Sequence, residues 1–446
     1  MHFDYKIWRP IVCASLVALS ANLAQADSYS LENAVTTAQR QDPWVQGSLK
    51  RQESLDALSV EAGSLPDPSV SLGVANLPID TFDFSQEGMT QFKVGVSQMF
   101  PRGKTLALKR EKLQKLSEMQ PHARADRNAQ VAVTVAQLWL DTYRSEQTIH
   151  LIEQDRGLFE HLVDVAQSSY TTASGRTRQQ DLVRAQLELT RLDDRLTRLY
   201  QQRDMSLAKL GEWLGDPVIN ISENENSESL IELKAPGLLK ERDRSTKLRQ
   251  LSDVLSRHPK IKRIDQKINA FDSSVKLAKQ SYKPQWGVNA SYGYRDQTPM
   301  GDDRSDFFSV GVSFDVPLFT GKRQDKKVQS ANAELEAVKT ERALVLRQLK
   351  ASYDSAEAMY LRLVERKFLF DSRLLKEMAE QAEASLSAYT NDDGDFAEVV
   401  RARIAELNAR IEALHVDIDM QKNIAQLNYF QAGTPSTKES SHAAFE

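Results

Sequence analysis

A duplicated stretch of alternating sequence constrains the fold of this chain more than any other feature. Its first copy spans 68–104 and its second spans 284–322, and the run Val-Gly-Val-Ser at 94–97 returns at 310–313. The prolines that bound the first copy, Pro68 and Pro101, return as Pro284 and Pro317, in each case 216 positions later. An internal repeat of this kind decides the architecture, so both copies are expected to form the same structure.

Apolar and small polar residues alternate within each copy, which is the pattern of a strand with one apolar and one wet face. The repeat offset is even, so the two copies share the same parity. Prolines at the ends suit points where a strand ladder stops. Each copy is therefore predicted to be a β-hairpin, at 68–101 and 284–317, with long loops at 76–91 and 295–306. The residues expected on the apolar face are Val70, Leu72, Val74, Phe92, Val94, Val96, Trp286, Val288, Tyr292, Phe308, Val310, Val312 and Phe314.

The first 26 residues have the pattern of a secretory signal peptide. Lys6 and Arg9 precede an apolar core at 11–23, and Ala24-Gln-Ala26 is a small-residue cleavage site. The only cysteine, Cys13, lies inside that core, so the exported chain is expected to have no disulfide. No other apolar run is long enough for a membrane helix, so entry into a membrane would have to be by strands.

Glycine and proline breaks divide the rest of the chain into two repeats and a connecting segment. A first repeat at 27–215 holds short helices, the first hairpin and a long helical hairpin at 104–213. An inter-repeat segment follows at 216–250. A second repeat at 251–432 holds the second hairpin and a long helical hairpin at 322–431, and 433–446 is expected to be a disordered tail.

The helix lengths predict a tall wall of constant width. At 1.5 Å rise per residue, the tract 104–170 would span about 100 Å, and Pro121 should kink it. The shorter helices 178–213 and 43–62, stacked end to end, would nearly equal its length. The corresponding helices of the second repeat add up in the same way. The sequence therefore predicts a mainly α fold with a small β part, with the hairpins at one end and the helical turns at the other.

Two hairpins supply four strands, which are too few to close on themselves in a membrane. A membrane barrel needs about eight strands, and open edges in lipid leave backbone groups unpaired at several kcal/mol each. Copies of the chain must therefore close the sheet together, as eight strands in a dimer or 12 in a trimer. The apolar strand residues would then face lipid.

The chain resembles the TolC-like outer membrane factors, the exit ducts of tripartite efflux pumps and type I secretion. The resemblance covers nearly the whole mature chain, and its motifs occur in order and in duplicate. They are Leu31-Glu-Asn-Ala-Val with Asp42-Pro43, Leu65-Pro-Asp-Pro68, Phe100-Pro with Gly103-Lys104, Val316-Pro-Leu-Phe with Gly321-Lys322, and two segments around the helical turns, Tyr170…Gly175…Asp181-Leu-Val-Arg-Ala-Gln186 and Tyr389…Gly394…Val399-Val-Arg-Ala402.

The resemblance implies a homotrimer with a 12-stranded outer membrane β-barrel, a periplasmic α-helical barrel and an equatorial belt from the inter-repeat segment. It implies a Gram-negative outer membrane location and two partners, a periplasmic adaptor (membrane fusion protein) and an inner membrane pump of the RND type. The Leu-Pro-Asp-Pro and Gly-Lys wording is closest to the heavy-metal cation efflux subgroup, which is CzcC-like and CusC-like. No nucleic acid partner is expected, because the net charge is −4.

The second helical turn is rich in acids, and the family's tunnel closes at this end. Threefold copies of these acids would favour cations at an aperture. Glu398 falls on one matching position of the family's acidic ring, whereas Arg401 occupies the next, where an acid is expected. The alternative is a solvated turn, since turns are commonly rich in Asp and Gly. The candidate aperture residues are Asp392, Asp393, Asp395 and Glu398.

Both helical turns are candidate adaptor contacts, against the simpler possibility of plain hairpin turns. Their candidate docking residues are Thr171, Thr172, Ser174, Gly175, Thr390, Asn391 and Gly394. Aromatic strand residues, among them Tyr294, are candidates for interfacial girdles, with a packed soluble sheet core as the rival.

Enzyme chemistry has no support in the sequence. The seven histidines form no His-x-x-x-His pair, and neither a serine nucleophile elbow nor a phosphate loop occurs. No catalytic residue, metal ligand or cofactor is therefore predicted. Two functions remain: a passive export channel, which the outward aromatic strands favour, and a periplasmic coiled-coil scaffold or adaptor that never enters the membrane.

Overall fold

The computed structural model describes residues 30–171, 179–215, 232–240, 243–391 and 394–433. This part of the chain is mostly helical, with one small sheet at one end. The strands are β1 (Ser69–Ala75), β2 (Gln91–Phe100), β3 (Trp286–Tyr294) and β4 (Phe307–Phe314). The helices are α1 (Leu31–Gln41), α2 (Pro43–Ala62), α3 (Thr105–Ser117), α4 (Met119–Thr171), α5 (Gln179–Leu214), α6 (Arg244–Arg257), α7 (Pro259–Lys279), α8 (Gln324–Leu369), α9 (Leu375–Thr390) and α10 (Phe396–Tyr429).

The two repeats have the same order of elements. In each, a short helix, a second helix, a hairpin, a long helical column and a return helix follow one another, and α6 to α10 reproduce α1 to α5. The two hairpins occupy the expected positions. Helix α6 starts earlier than the expected second repeat, within 216–250, because the Asp243 side chain caps it by accepting from the Thr246 amide at 2.7 Å.

Both long columns are interrupted, one as expected and one not. Between α3 and α4 the helix breaks at Glu118, and Pro121 lies in the first turn of α4, where a missing amide is tolerated. Between α8 and α9 a π-helical turn, Phe370–Leu374, shifts the register. Phe370 in this turn is buried against Val416 of α10, a contact that periodicity alone did not predict.

The helices form a wall that is four columns wide. The α3/α4 column packs against α2 above and α5 below on one side, and against α7 above and α10 below on the other; α8 and α9 form the fourth column beyond α7 and α10. Apolar clusters fill the wall, the largest between α4, α5 and α10 around Ile152, Leu192 and Leu407. No helix of the described residues has the length and apolar character needed to cross a membrane.

In the first repeat, the joint between its two short helices is tied to α4. At Asp42-Pro43, where α1 passes into α2, the Asp42 carboxylate accepts from the Trp44 amide at 3.0 Å and so caps α2. The same carboxylate is paired with Arg127 of α4, with 2.7 Å between Oδ2 and Nε. Asp42 is almost fully buried, and the Arg127 guanidinium supplies the opposite charge that burial requires.

The equivalent joint of the second repeat, His258-Pro259, is tied to the neighbouring residue of α4 by different chemistry. His258 Nδ1 accepts from the Lys260 amide at 3.2 Å and caps α7, and Nε2 lies 3.2 Å from the Tyr429 carbonyl, to which it donates. The Tyr429 hydroxyl in turn donates to Asp126 Oδ1 at 2.8 Å. Since Asp126 precedes Arg127, one turn of α4 anchors both repeats.

We expect acid to weaken the second joint. Burial lowers the pKa of His258, and protonation would turn Nδ1 into a donor that faces the Lys260 amide. The unfolded chain then binds more protons than the folded chain, so stability is full above the ordinary histidine pKa and falls as pH drops through the folded value. When the pH is lowered from about 7.5 to about 5.5, the melting temperature should therefore fall less for His258→Asn than for the wild type.

The control is His150→Asn, because His150 is exposed on α4 and should keep the wild-type pH dependence. An undiminished acid loss in His258→Asn would contradict the role given to this histidine.

Candidate functional site

The four strands form one antiparallel sheet in the order β1-β2-β3-β4, with most of its large apolar residues on one face. The register pairs Leu72 with Val94, and Val94 with Tyr292 on the next strand. Tyr292 in turn faces Phe308. Every residue that the sequence placed on the apolar face follows this parity. All of them except Val94 are exposed, Val310 at 64% and Phe308 at 72%. No other element of the described residues covers this face.

Aromatic residues mark both borders of the apolar face. At the loop end lie Phe92, Tyr292, Tyr294 and Phe308, and at the helix end lie Phe100, Trp286 and Phe314, all of them exposed. The rings of Trp286 and Phe314 are 4.9 Å apart. Tyr294 and Trp286 are eight residues apart on β3, about 26 Å at the usual rise, which matches the height of an outer membrane apolar band.

The opposite face is lined mostly by serine and glycine, with Asn289 among them. Ser69 and Ser97 share a hydrogen bond of 2.7 Å between their hydroxyls. A Cβ at Gly95 would come within 2.7 Å of Ser71 Oγ, so glycine lets the neighbouring side chain cross it. Lys93 is the one charged residue within the four strands. The sheet therefore separates an apolar from a polar environment.

Both outer strands of the sheet have a free edge. Strand β1 pairs only with β2, and β4 pairs only with β3, so one edge of each has no strand partner among the described residues. An apolar strand with unpaired amides and carbonyls is a template for pairing with another chain. The sheet could therefore extend by pairing with the strands of another copy.

The two outer columns of the helical wall also expose large apolar side chains. On the α2/α5 side these are Leu49, Leu58, Val60, Val183, Leu187 and Met205, and on α8 they are Leu344, Met359, Leu361, Val364, Phe368 and Leu369. Groups of exposed apolar side chains on an otherwise charged helical surface mark contact sites. Sheet and wall are thus open at the same two lateral edges.

The acids of the second helical turn have local partners. Asp395 is the N-cap of α10 and accepts from the Ala397 amide at 3.2 Å. Glu398 is paired with Arg401 at 2.8 Å, and both side chains are more than half exposed. The sequence flagged Arg401 as a departure but did not predict that it would neutralise Glu398. Asp392 and Asp393 lie outside the described residues.

The same turn contains the described part of the candidate docking residues. The Asn391 amide donates to the Ser387 carbonyl at 3.1 Å, and the Thr390 hydroxyl donates to it at 3.0 Å. A Cβ at Gly394 would lie 2.6 Å from the Tyr389 backbone nitrogen, so only glycine fits here. In the first turn, Thr171 ends α4, and Thr172, Ser174 and Gly175 lie outside the described residues.

No group of three or more His, Cys, Asp or Glu in the described ranges is arranged to hold a metal ion. The pairs Asp42–Arg127 and Tyr429–Asp126 were missed by sequence reasoning. The shared offset of Asp42-Pro43 and His258-Pro259 was the signal that could have located them.

We compared the chain with protein-family models and with curated protein sequences. Residues 250–430 match the family model described as outer membrane efflux protein. No curated protein sequence matched the chain.

Several solved outer membrane channels share the fold along most of the chain. CusC superposes with a TM-score of 0.74 at 14% identity, covering 90% of this chain and 92% of that one. VceC from Vibrio cholerae gives 0.72 at 13% identity, covering 90% and 96%. CmeC from Campylobacter jejuni gives 0.71 at 12% identity, covering 94% and 89%. The TolC-like fold expected from the sequence is confirmed.

The two faces of β4 predict opposite tolerance to charge at adjacent positions. Arginine at Val310 would face the apolar side and should cost about 2–4 kcal/mol in a bilayer midplane. Ser309→Arg is the matched control, because Ser309 lies on the polar face opposite Ser291. The amount of folded protein in outer membrane fractions should fall sharply for Val310→Arg and stay near wild type for Ser309→Arg. Equal loss in both variants would contradict this assignment of the faces.

Proposed function

We propose that this chain is the outer membrane channel of a tripartite efflux system, because residues 250–430 match the outer membrane efflux protein family model and the chain has the TolC-like fold. It gives passive exit to substrates that an inner membrane pump and a periplasmic adaptor deliver. It resides in the outer membrane of a Gram-negative bacterium, with a long periplasmic part.

The observation that carries this proposal is the two-faced sheet with two open edges. An exposed apolar face bordered by aromatic residues on both sides suits lipid, and the serine-rich face suits a water-filled lumen. Three copies would bring 12 strands and join every free edge, so that no backbone group remains unpaired in lipid. The helical walls of the three copies would close along their exposed apolar columns.

The two helical turns lie at the opposite end from the sheet and are the proposed adaptor contacts. Their side of the wall is the periplasmic end, which is where an adaptor coupled to an RND-type pump would reach the channel. Asp395 and Glu398, with Asp392 and Asp393, are the proposed aperture acids. The heavy-metal cation subgroup suggested by the Leu65-Pro-Asp-Pro68 wording stays a prediction about cargo.

Fractionation tests the channel directly. The protein should be found in the outer membrane as a trimer that runs intact on unheated gels and dissociates on heating, and the purified trimer should form ion-conducting channels in planar bilayers. A soluble periplasmic monomer would instead support the coiled-coil scaffold.

Two variants of Asp395 separate its charge, which the aperture role requires, from its capping of α10. Asn caps a helix about as well as Asp, so Asp395→Asn removes the charge and keeps the cap of α10, whereas Asp395→Ala loses about 1 kcal/mol of capping as well. If the acids line the aperture, Asp395→Asn combined with Glu398→Gln should lower the cation preference in planar bilayers at low salt. Unchanged selectivity in the double variant would leave these residues as ordinary turn and cap residues.

A further inference from the structure

A polar cavity lies where the sheet meets the helical wall. It has a volume of about 250 Å³ and is enclosed by the starts of α3 and α8 and the end of α7. Its polar lining consists of Arg102, Lys109, Gln280, Ser281, Gln285 and Lys327, together with Thr105. Three of these side chains are cationic, and no acid is among the lining residues.

The cavity opens on the polar side of the sheet. Met99 pairs with Gly287 on that face, and Pro101 and Gln285 lie two residues beyond them, just past the last recorded pair, with the same parity. Pro101 and Gln285 both line the cavity. Since strand residues two apart share a face, the cavity lies below the serine-rich surface and away from the aromatic borders.

Two of the three cations are free to meet a ligand. Arg102 is paired with Asp315 and also donates to the Lys283 carbonyl at 2.7 Å. Lys109 and Lys327 are exposed, and neither has a carboxylate within 4.0 Å among the described residues. The cavity therefore holds a net positive charge that the described chain leaves unbalanced.

A second cavity of about 290 Å³ continues the same face of α7 towards the equator. Arg263, which lines it, is in helical register with Leu277 and Ser281, which line the first cavity. Its charged lining residues are Arg51, Arg263, Lys267 and Glu341, and Lys267 pairs with Glu341 at 2.7 Å. This surface is positive over two successive cavities.

We propose that Lys109 and Lys327 form an anion-binding site in the lumen at the base of the sheet, which favours passage of solutes carrying carboxylate or phosphate groups. The inference rests on the proposed function, because three copies around one axis would present six of these lysines to the lumen. A ring of like charge with low-dielectric walls raises the local concentration of counter-ions and lowers that of like-charged ions.

The test is the reversal potential of the purified trimer in a planar bilayer under a potassium chloride gradient. The double variant Lys109→Gln/Lys327→Gln should lower the chloride-to-potassium permeability ratio by about threefold at low salt. Lys109→Glu/Lys327→Glu should lower it further. At about 1 M salt, where screening acts within about 3 Å, the difference should disappear.

Lys279→Gln is the matched control. Lys279 is an exposed lysine of α7, two positions from both Leu277 and Ser281 and therefore about 200° around the helix from the cavity. Like each of the two substitutions at the site, it removes one positive charge from the same region, and it should leave the permeability ratio unchanged. An equal shift in Lys279→Gln, or no shift in the double glutamine variant, would overturn the proposal.

A second measurement probes the site by occupancy. Inorganic tripolyphosphate, added to the wild-type channel, should reduce the current at a concentration about tenfold lower than in the double glutamine variant. Equal block in both would count against the site. If the wild-type trimer forms no channels at all, the proposed function fails; if it conducts but these lysine variants match it, only the anion site fails.

Discussion

Unpaired backbone groups at the edges of the sheet are the constraint on which the rest of this structure depends. A four-stranded sheet with an apolar face cannot be left open in lipid, where each unsatisfied amide or carbonyl costs several kcal/mol. The free edges of β1 and β4 coincide with the exposed apolar columns α2/α5 and α8/α9. Association at one level therefore brings about association at the other, and the sheet and the helical wall close together.

In the proposed channel, the polar side of the sheet and the helical surface below it would form one path whose charge changes along its length. Lys93 and the cavity cations lie at the sheet end, whereas Asp395 and Glu398 lie at the turn end, where Arg401 offsets part of the acid. In that proposed channel, a solute would leave an acidic or neutral entrance and then meet the cations at the base of the sheet. These cations would disfavour free metal cations and favour anionic molecules.

Much of the fold followed from the sequence because its strongest signals are local. Period two defined β1 to β4, the bounding prolines defined their ends, and the 216-residue offset defined the second repeat. The start of α6 was missed because its first residues, 244–247, are all polar and the Asp243 cap sets where the helix begins. The π-helical turn at Phe370, the Glu398–Arg401 pair and the partners of Asp42 and His258 depend on which helices become neighbours, and spacing along one helix carries no such information.

The height of the helical columns has a consequence for how this chain can change in length. The two long columns, 105–171 and 324–390, each span 67 residues, and their return helices are also similar in length, with 36 residues in α5 and 34 in α10. Both belong to one wall, with the α7/α10 column between them, so an insertion of one turn in a single column would push its tip about 5.4 Å past its neighbours. A partner that binds the helical turns would then find them at different heights. Insertions and deletions should therefore be tolerated only when they occur at matching positions in both repeats. The length of the helical wall can then change only if both repeats change together.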